Sequence, residues 1–304
     1  MNPILLASDN AAVVSELQRV LQELMGPFVV ELIHEDGRIA LRRLQGRRYR
    51  LVLLPSTMRH YEALTLLRML DPVGRSPIVL LVPDTVEGLR TGWEALRLGA
   101  ADILPTKGDP PQRLKGQLDQ RRRQLAAVLS LAGSETVSAN PWSVPEDGEP
   151  TVWLPELRHL TEVTAALTDL PRTFPLLMRI PEGPRMRRVA GEELARTTPW
   201  PVRQLQNGDR LIPGRLHLFS DPEAIALVGS GESCVVRLHA SSGAPGSADA
   251  AHELYRSLGR STTRFRLVAG SNLAESERLR LESTSVEVNR LDPSSGELGS
   301  AKVA

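Results

Sequence analysis

Along the first hundred residues, short apolar runs alternate with stretches whose apolar positions recur every three or four residues. The runs are "ILLA" (Ile4–Ala7), "LVLL" (Leu51–Leu54), "IVLLV" (Ile78–Val82) and "DIL" (Asp102–Leu104), with "VVELIHE" (Val29–Glu35) as a fifth. They are continuous rather than alternating, the pattern of parallel strands covered on both faces. Helical periodicity spans Ala12–Leu24 and Val86–Leu98, opened by the polar residues Asn10 and Asp84, the second closed by Gly99. Strands alternating with helices predict an α/β class and a doubly wound parallel sheet of flavodoxin-like order. An amphipathic helix over Pro111–Leu131, with "RRR" on its solvated face, completes a first domain at residues 1–130.

Periodicity then stops. "AGSETVSANPWSVPEDGEP", within 131–150, is rich in Ser, Pro, Gly and acids, the composition of a linker. A second α/β domain is expected over 151–304. It starts with the strand "TVWL" (Thr151–Leu154), a helix near Leu157–Leu167 and the strand "PLLMRI". "GRLHLFS" and "AIALVG" alternate like the strands of a hairpin joined through Asp221-Pro222. A helix near Asp249–Leu258 and the strand "RFRLVAG" follow, and the tail "DPSSGELGSAKVA" is expected to fray. "GSGES" (Gly229–Ser233) lies between strands rather than before a helix, which argues for a turn and against a phosphate loop.

Composition narrows the function classes. At 304 residues with 41% hydrophobic and 24% charged side chains, the chain suits two globular domains. Its 37 basic and 36 acidic side chains leave a net charge of +1, which argues against bulk capture of nucleic acid. No apolar run is long enough to span a membrane, and "MNPILLASDN" has no basic leader. A cytoplasmic protein is expected. The single Cys234 excludes an internal disulfide, and His34, His60, His217, His239 and His252 show no metal-ligand spacing. No cofactor is expected.

The N-terminal part resembles a two-component receiver domain. That resemblance implies an acidic pair after the first strand, a phospho-accepting Asp after the third, a hydroxyl after the fourth and a Lys after the fifth. The acids would hold a divalent ion and the Lys would pair with the phosphoryl. This sequence puts Ser8 and Asp9 in the acidic slots, Pro55 in the acceptor slot, Val82 in the hydroxyl slot and Thr106 in the lysine slot, with Lys107 displaced by one. Asp9 alone matches, a lone remnant read as a strand-end cap. Proline cannot be phosphorylated, so a receiver that does not receive is expected; Ser8, Ser56 or Thr57 is the alternative acceptor.

The remainder resembles the catalytic domain of CheB-type protein-glutamate methylesterases. The matching segments are "NGDRLIPGRLHLFSDPEAIAL", "LTDLPRTFPLLMRIPEG" and "LDPSS". The resemblance covers essentially the whole chain, since that family also places a receiver in front. It implies a Ser/His/Asp site at the ends of the strands. Here the serine slot is Pro155, the histidine slot Arg179 and the aspartate slot Ala274. An imino acid offers no nucleophile, and a guanidinium stays charged and cannot act as a base.

Loss of all three roles predicts no family-type ester hydrolysis, leaving weak or relocated esterase or amidase activity through His159 and Glu156 as the alternative. Arg158, Arg179, Arg185, Arg187 and Arg188 form a candidate cationic groove for an acidic partner helix; a solvated face paired with Glu192 and Glu193 is the plainer reading. Ser271 and Asn272 suit the cap of a following helix. The partners that the resemblance implies are a chemoreceptor cytoplasmic domain, the histidine kinase or its coupling protein, or an active methylesterase. In that family the receiver covers the cleft until it is phosphorylated.

Overall fold

The computed structural model describes residues 3–25, 29–70, 76–106, 149–155, 160–180, 183–220, 223–229, 234–240, 248–258, 260–263, 265–269 and 286–290. The chain divides into two compact units, Met1–Ser134 and Glu135–Ala304. The expected linker up to residue 148, the helix over Pro111–Leu131 and the tail lie outside the described residues, as do Lys107, Glu156, Arg158, His159, Ser271, Asn272 and Ala274.

The first unit is built on five parallel strands, β1 (Ile4–Ala7), β2 (Val30–Ile33), β3 (Leu51–Pro55), β4 (Ile78–Pro83) and β5 (Asp102–Thr106), in the order β2-β1-β3-β4-β5. This is the flavodoxin-like order. Every side chain of β1 is buried, as is all of β3 before Pro55, because helices cover both faces. Helix α1 (Ala11–Met25) buries Val14, Leu17 and Leu21 against Ile4, Leu6, Leu51 and Leu53. Helices α2 (Gly37–Gly46), α3 (Ala63–Met69) and α4 (Val86–Arg97) complete the described part. Asp36 caps α2 by accepting from the Arg38 and Ile39 amides. The cap of α4 is Thr85 rather than the expected Asp84; its hydroxyl accepts from Gly88 N at 3.1 Å. Gly88 is required there, since a Cβ would stand 2.2 Å from the Pro83 carbonyl oxygen.

The second unit holds six parallel strands: β6 (Thr151–Leu154), β7 (Leu176–Ile180), β8 (Val202–Gln204), β9 (Leu216–Ser220), β12 (Phe265–Ala269) and β13 (Val286–Arg290). Their order is β13-β12-β6-β7-β9-β8. The chain runs from β6 outward on one side and returns through β12 on the other, so the topological switch point lies between β6 and β12. Helices α5 (Leu160–Asp169), α6 (Pro184–Thr197) and α7 (Ala248–Leu258) connect them.

The expected hairpin is corrected. β9 is buried at every residue and lies between β7 and β8, both parallel to it. The antiparallel pair is instead β10 (Glu223–Val228) with β11 (Val235–Ala240), in the register Ile225↔Leu238. A strand buried on both faces and bonded on both edges has no side left for a hairpin partner. The hairpin and α7 cover one face of the sheet, packing Ile225, Leu227, Val236, Leu254 and Leu258 onto Val152, Leu177 and Phe219. At the opposite end of the strands, Trp200 meets Phe174 edge-on at 5.8 Å and donates to the Leu167 carbonyl at 2.8 Å.

Candidate functional site

In the first unit, the C-terminal ends of β1, β2 and β3 bring Ser8, Asp9, His34, Glu35, Pro55, Ser56 and Arg59 to one edge of the sheet. Asp9 Oδ1 lies 2.7 Å from His34 Nδ1 and also accepts from Glu35 N at 3.4 Å, while Oδ2 is 3.5 Å from Arg59 Nη2. The His34 hydrogen bond is the main reason that its carboxyl sits below the ordinary aspartate range. Glu35 Oε1 in turn accepts from Ser8 Oγ at 3.3 Å and Asp9 N at 3.2 Å.

Asn10, not Asp9, caps α1, through an acceptor contact with Val13 N at 3.3 Å. Asp9 instead stands at the strand ends, where its carboxylate accepts from Glu35 N just beyond β2. A divalent ion does not fit this donor set: one carboxylate is engaged by an imidazole and a guanidinium, and the other acid holds Ser8 and the β1 end. Among the described residues no group of three or more His, Cys, Asp or Glu side chains is arranged around a common point for a metal.

Pro55 ends β3 half-buried, opposite Leu81 of β4. The next residue, Ser56, is buried, with its amide on the Leu81 carbonyl at 2.9 Å. Thr106 Oγ1 donates to the Val82 carbonyl at 3.0 Å. That hydroxyl is engaged by the backbone of the neighbouring strand.

In the second unit, Pro155 directly follows β6, whose Leu154 pairs with Ala269 at the end of β12. Arg179, partly buried and with a polar or ionic partner of its own, lies in β7 one residue beyond the Met178–Trp153 pair and opposite Phe219 of β9. Pro155 and Arg179 therefore stand at the C-terminal ends of adjacent strands, with Pro155 beside the switch point between β6 and β12 where open α/β sheets bind ligands.

The arginines on α6 do different jobs. Arg187, with its side chain 13% exposed, reaches Glu223 Oε2 at 2.5 Å, and the same oxygen accepts from Ser220 N at 3.1 Å. It straps α6 to the start of β10. Arg188 pairs with Glu192 at 3.2 Å along the helix, whereas Glu193 pairs with Arg196. Arg185 is exposed and has a polar or ionic partner.

In sequence, the chain is 23% identical over 243 residues to protein-glutamate methylesterase/protein-glutamine glutaminase 2 of Chromobacterium violaceum, spanning 70% of this chain and 67% of that one. It is 25% identical over 200 residues to protein-glutamate methylesterase/protein-glutamine glutaminase 1 of Carboxydothermus hydrogenoformans, spanning 60% of this chain and 56% of the relative. The chain has the CheB-type architecture. No protein-family model matches it. Among solved structures, the CheB methylesterase catalytic domain of Thermotoga maritima overlays with a TM-score of 0.37 at 14% identity, over 47% of this chain and 78% of that one. A chemotaxis response regulator of Vibrio cholerae overlays with a TM-score of 0.30 at 25% identity, over 40% of this chain and 98% of that one.

Sequence reasoning passed over two groups in this CheB-like chain. Glu223 lay in the supposed hairpin, so its role in holding Arg187 was invisible. His217 was counted among scattered histidines, yet it is fully buried in β9. Its Nε2 accepts from Ile212 N at 3.4 Å, which puts the proton on Nδ1, an atom with no partner among the described residues. Burial, reinforced by the nearby Arg215 charge, lowers its pKa to about 4. The signal was its place inside the apolar run "LHLF".

Proposed function

We propose that this CheB-like chain is enzymatically silent and serves a chemotaxis-type signalling array by binding. Its partners would be a chemoreceptor cytoplasmic domain, the histidine kinase or its coupling protein, or an active methylesterase. The observation that carries the reading is the pair of residues at the ends of β6 and β7: Pro155 brings no nucleophile, and Arg179 brings a permanent cation where a base would be needed. Removing a single triad member costs about 10⁴–10⁶ in rate, so replacing these groups together leaves no more than the background that binding and backbone donors supply. The receiver part supports the same reading, since Pro55 replaces the acceptor and Asp9 is already engaged by His34 and Arg59.

Two assays test this on the purified full chain. Incubation with methylated chemoreceptor should release no methanol above a protein-free control. Release that disappears on His159→Ala would instead establish a relocated esterase and overturn the proposal. Exposure to a small-molecule phosphodonor should leave the protein unlabelled, and label at Ser8, Ser56 or Thr57 would restore a phosphoryl switch.

A further inference from the structure

The near-zero net charge of the chain hides a concentrated cation. Residues 37–50, "GRIALRRLQGRRYR", contain six arginines and no Asp, Glu or Lys. They form α2 and the turn into β3, and all six (Arg38, Arg42, Arg43, Arg47, Arg48 and Arg50) are exposed. Helical spacing puts Arg38, Arg42 and Arg43 on the outer face, because Gly37 and Ala40 point inward and are buried. Ile39 shares that outer face and is 37% exposed. The stripe follows the helix for about 15 Å and continues onto the turn.

Two of the six are already occupied. Glu31 on the edge strand β2 is ion-paired with Arg43, whose Nε lies 2.9 Å from Oε1, accepts from Tyr49 Oη at 3.0 Å, and lies 3.5 Å from Arg47 Nη2. Arg47 also covers the Tyr49 ring at 5.0 Å. Arg38, Arg42, Arg48 and Arg50 have no side-chain ion pair or hydrogen bond among the described residues. The nearest acid along the chain, Asp36, is spent on the α2 cap and on His60 Nε2 at 3.3 Å.

We propose that the outer face of α2 and the turn into β3 form a docking stripe for an acidic, amphipathic polypeptide segment, held by Arg38, Arg42, Arg48 and Arg50. Charge complementarity supplies the sign of the partner. Two details supply its kind. The stripe already closes a guanidinium and a phenol on a carboxylate, that of Glu31, so carboxylate recognition is built into this surface. Ile39 presents apolar area among the cations, which suits the apolar residues of a peptide and gives a phosphate backbone nothing to bind. The inference is independent of whether the second unit hydrolyses esters.

Binding is measured by fluorescence anisotropy on the full chain, using a labelled helical peptide of about 20 residues with Glu and Leu on one face. A duplex of about 20 base pairs and vesicles of mixed neutral and anionic lipid serve as competing probes. The peptide should bind more tightly than either. Reversing all four arginines (Arg38→Glu, Arg42→Glu, Arg48→Glu, Arg50→Glu) should weaken the peptide by at least about tenfold. The four-site Arg→Gln variant, which adds no repulsion, should weaken it by about threefold or more and carries the test if the reversed protein does not fold. No peptide binding, equal binding by wild type and either folded variant, or tighter stripe-dependent binding of duplex or vesicles overturns the proposal.

Discussion

In the first unit, the strand carrying Pro55 ends among ions that stand in water. Asp9, His34 and Arg59 have side chains 43%, 76% and 65% exposed, and they meet across the edge of the sheet. In the second unit, polar groups of α6, β9 and β10 are largely withdrawn from solvent. Arg187 and Glu223 form a partly buried strap, and His217 lies wholly inside. Each unit has a proline at the C-terminal end of a strand, Pro55 and Pro155, but the ion pair Arg187–Glu223 of the second is tied into the packing as the Asp9 cluster is not. Exposed pairs contribute little and are screened by salt; a buried charge that loses its partner is costly. Rearranged polar groups are therefore a surface matter in one unit and a stability matter in the other.

The largest effect is expected from Glu223→Ala. It strands the Arg187 guanidinium and removes the acceptor for Ser220 N, and should cost about 2–4 kcal/mol in the urea unfolding of the second unit. A shift as small as that of an exposed pair would erase the contrast between the units.

Next comes pH. The unfolded chain protonates His217 near 6.5 and the folded chain near 4, so acidification favours unfolding. The loss begins as pH falls through about 6.5, is complete below about 4, and reaches up to about 3 kcal/mol. His217→Asn should flatten that slope in urea midpoints measured across this range; an unchanged slope would mean another group carries it.

The smallest effect is expected from Asp9→Asn and Arg59→Ala, which should leave the urea midpoint of the first unit where it is. A clear fall in either would put that edge on the same structural footing as the second unit's strap.

Sequence pattern gave the central strands readily, because β1, β3, β4 and β6 are covered on both faces and read as unbroken apolar runs. It misassigned β9 and β10, which Asp221 and Pro222 separate like the arms of a hairpin. Nothing local to "LHLFS" tells that both its edges are bonded to parallel neighbours, since parallel pairing depends on residues tens of positions away. β8, β11 and β13 were not picked out; β8 has three residues, and β11 reads plainly only beside its true partner β10.

For the candidate sites, the resemblance named slots, and the placement of Pro55, Pro155 and Arg179 at strand ends follows from strand identity alone. The partners of Asp9, Arg187 and His217 were illegible because each comes from a different element. The arginine stripe was legible in "LRRLQGRRYR" all along, but a whole-chain charge balance averaged it away.

That stripe consists of guanidinium groups without a single primary amine. A guanidinium keeps its proton throughout the physiological range, so the surface holds constant charge while any bound carboxylates titrate. Acid-induced release of a ligand from α2 would report on the ligand. Acetyltransferases have nothing to modify there, and amine-reactive cross-linkers would pass over the contact even when it is fully formed.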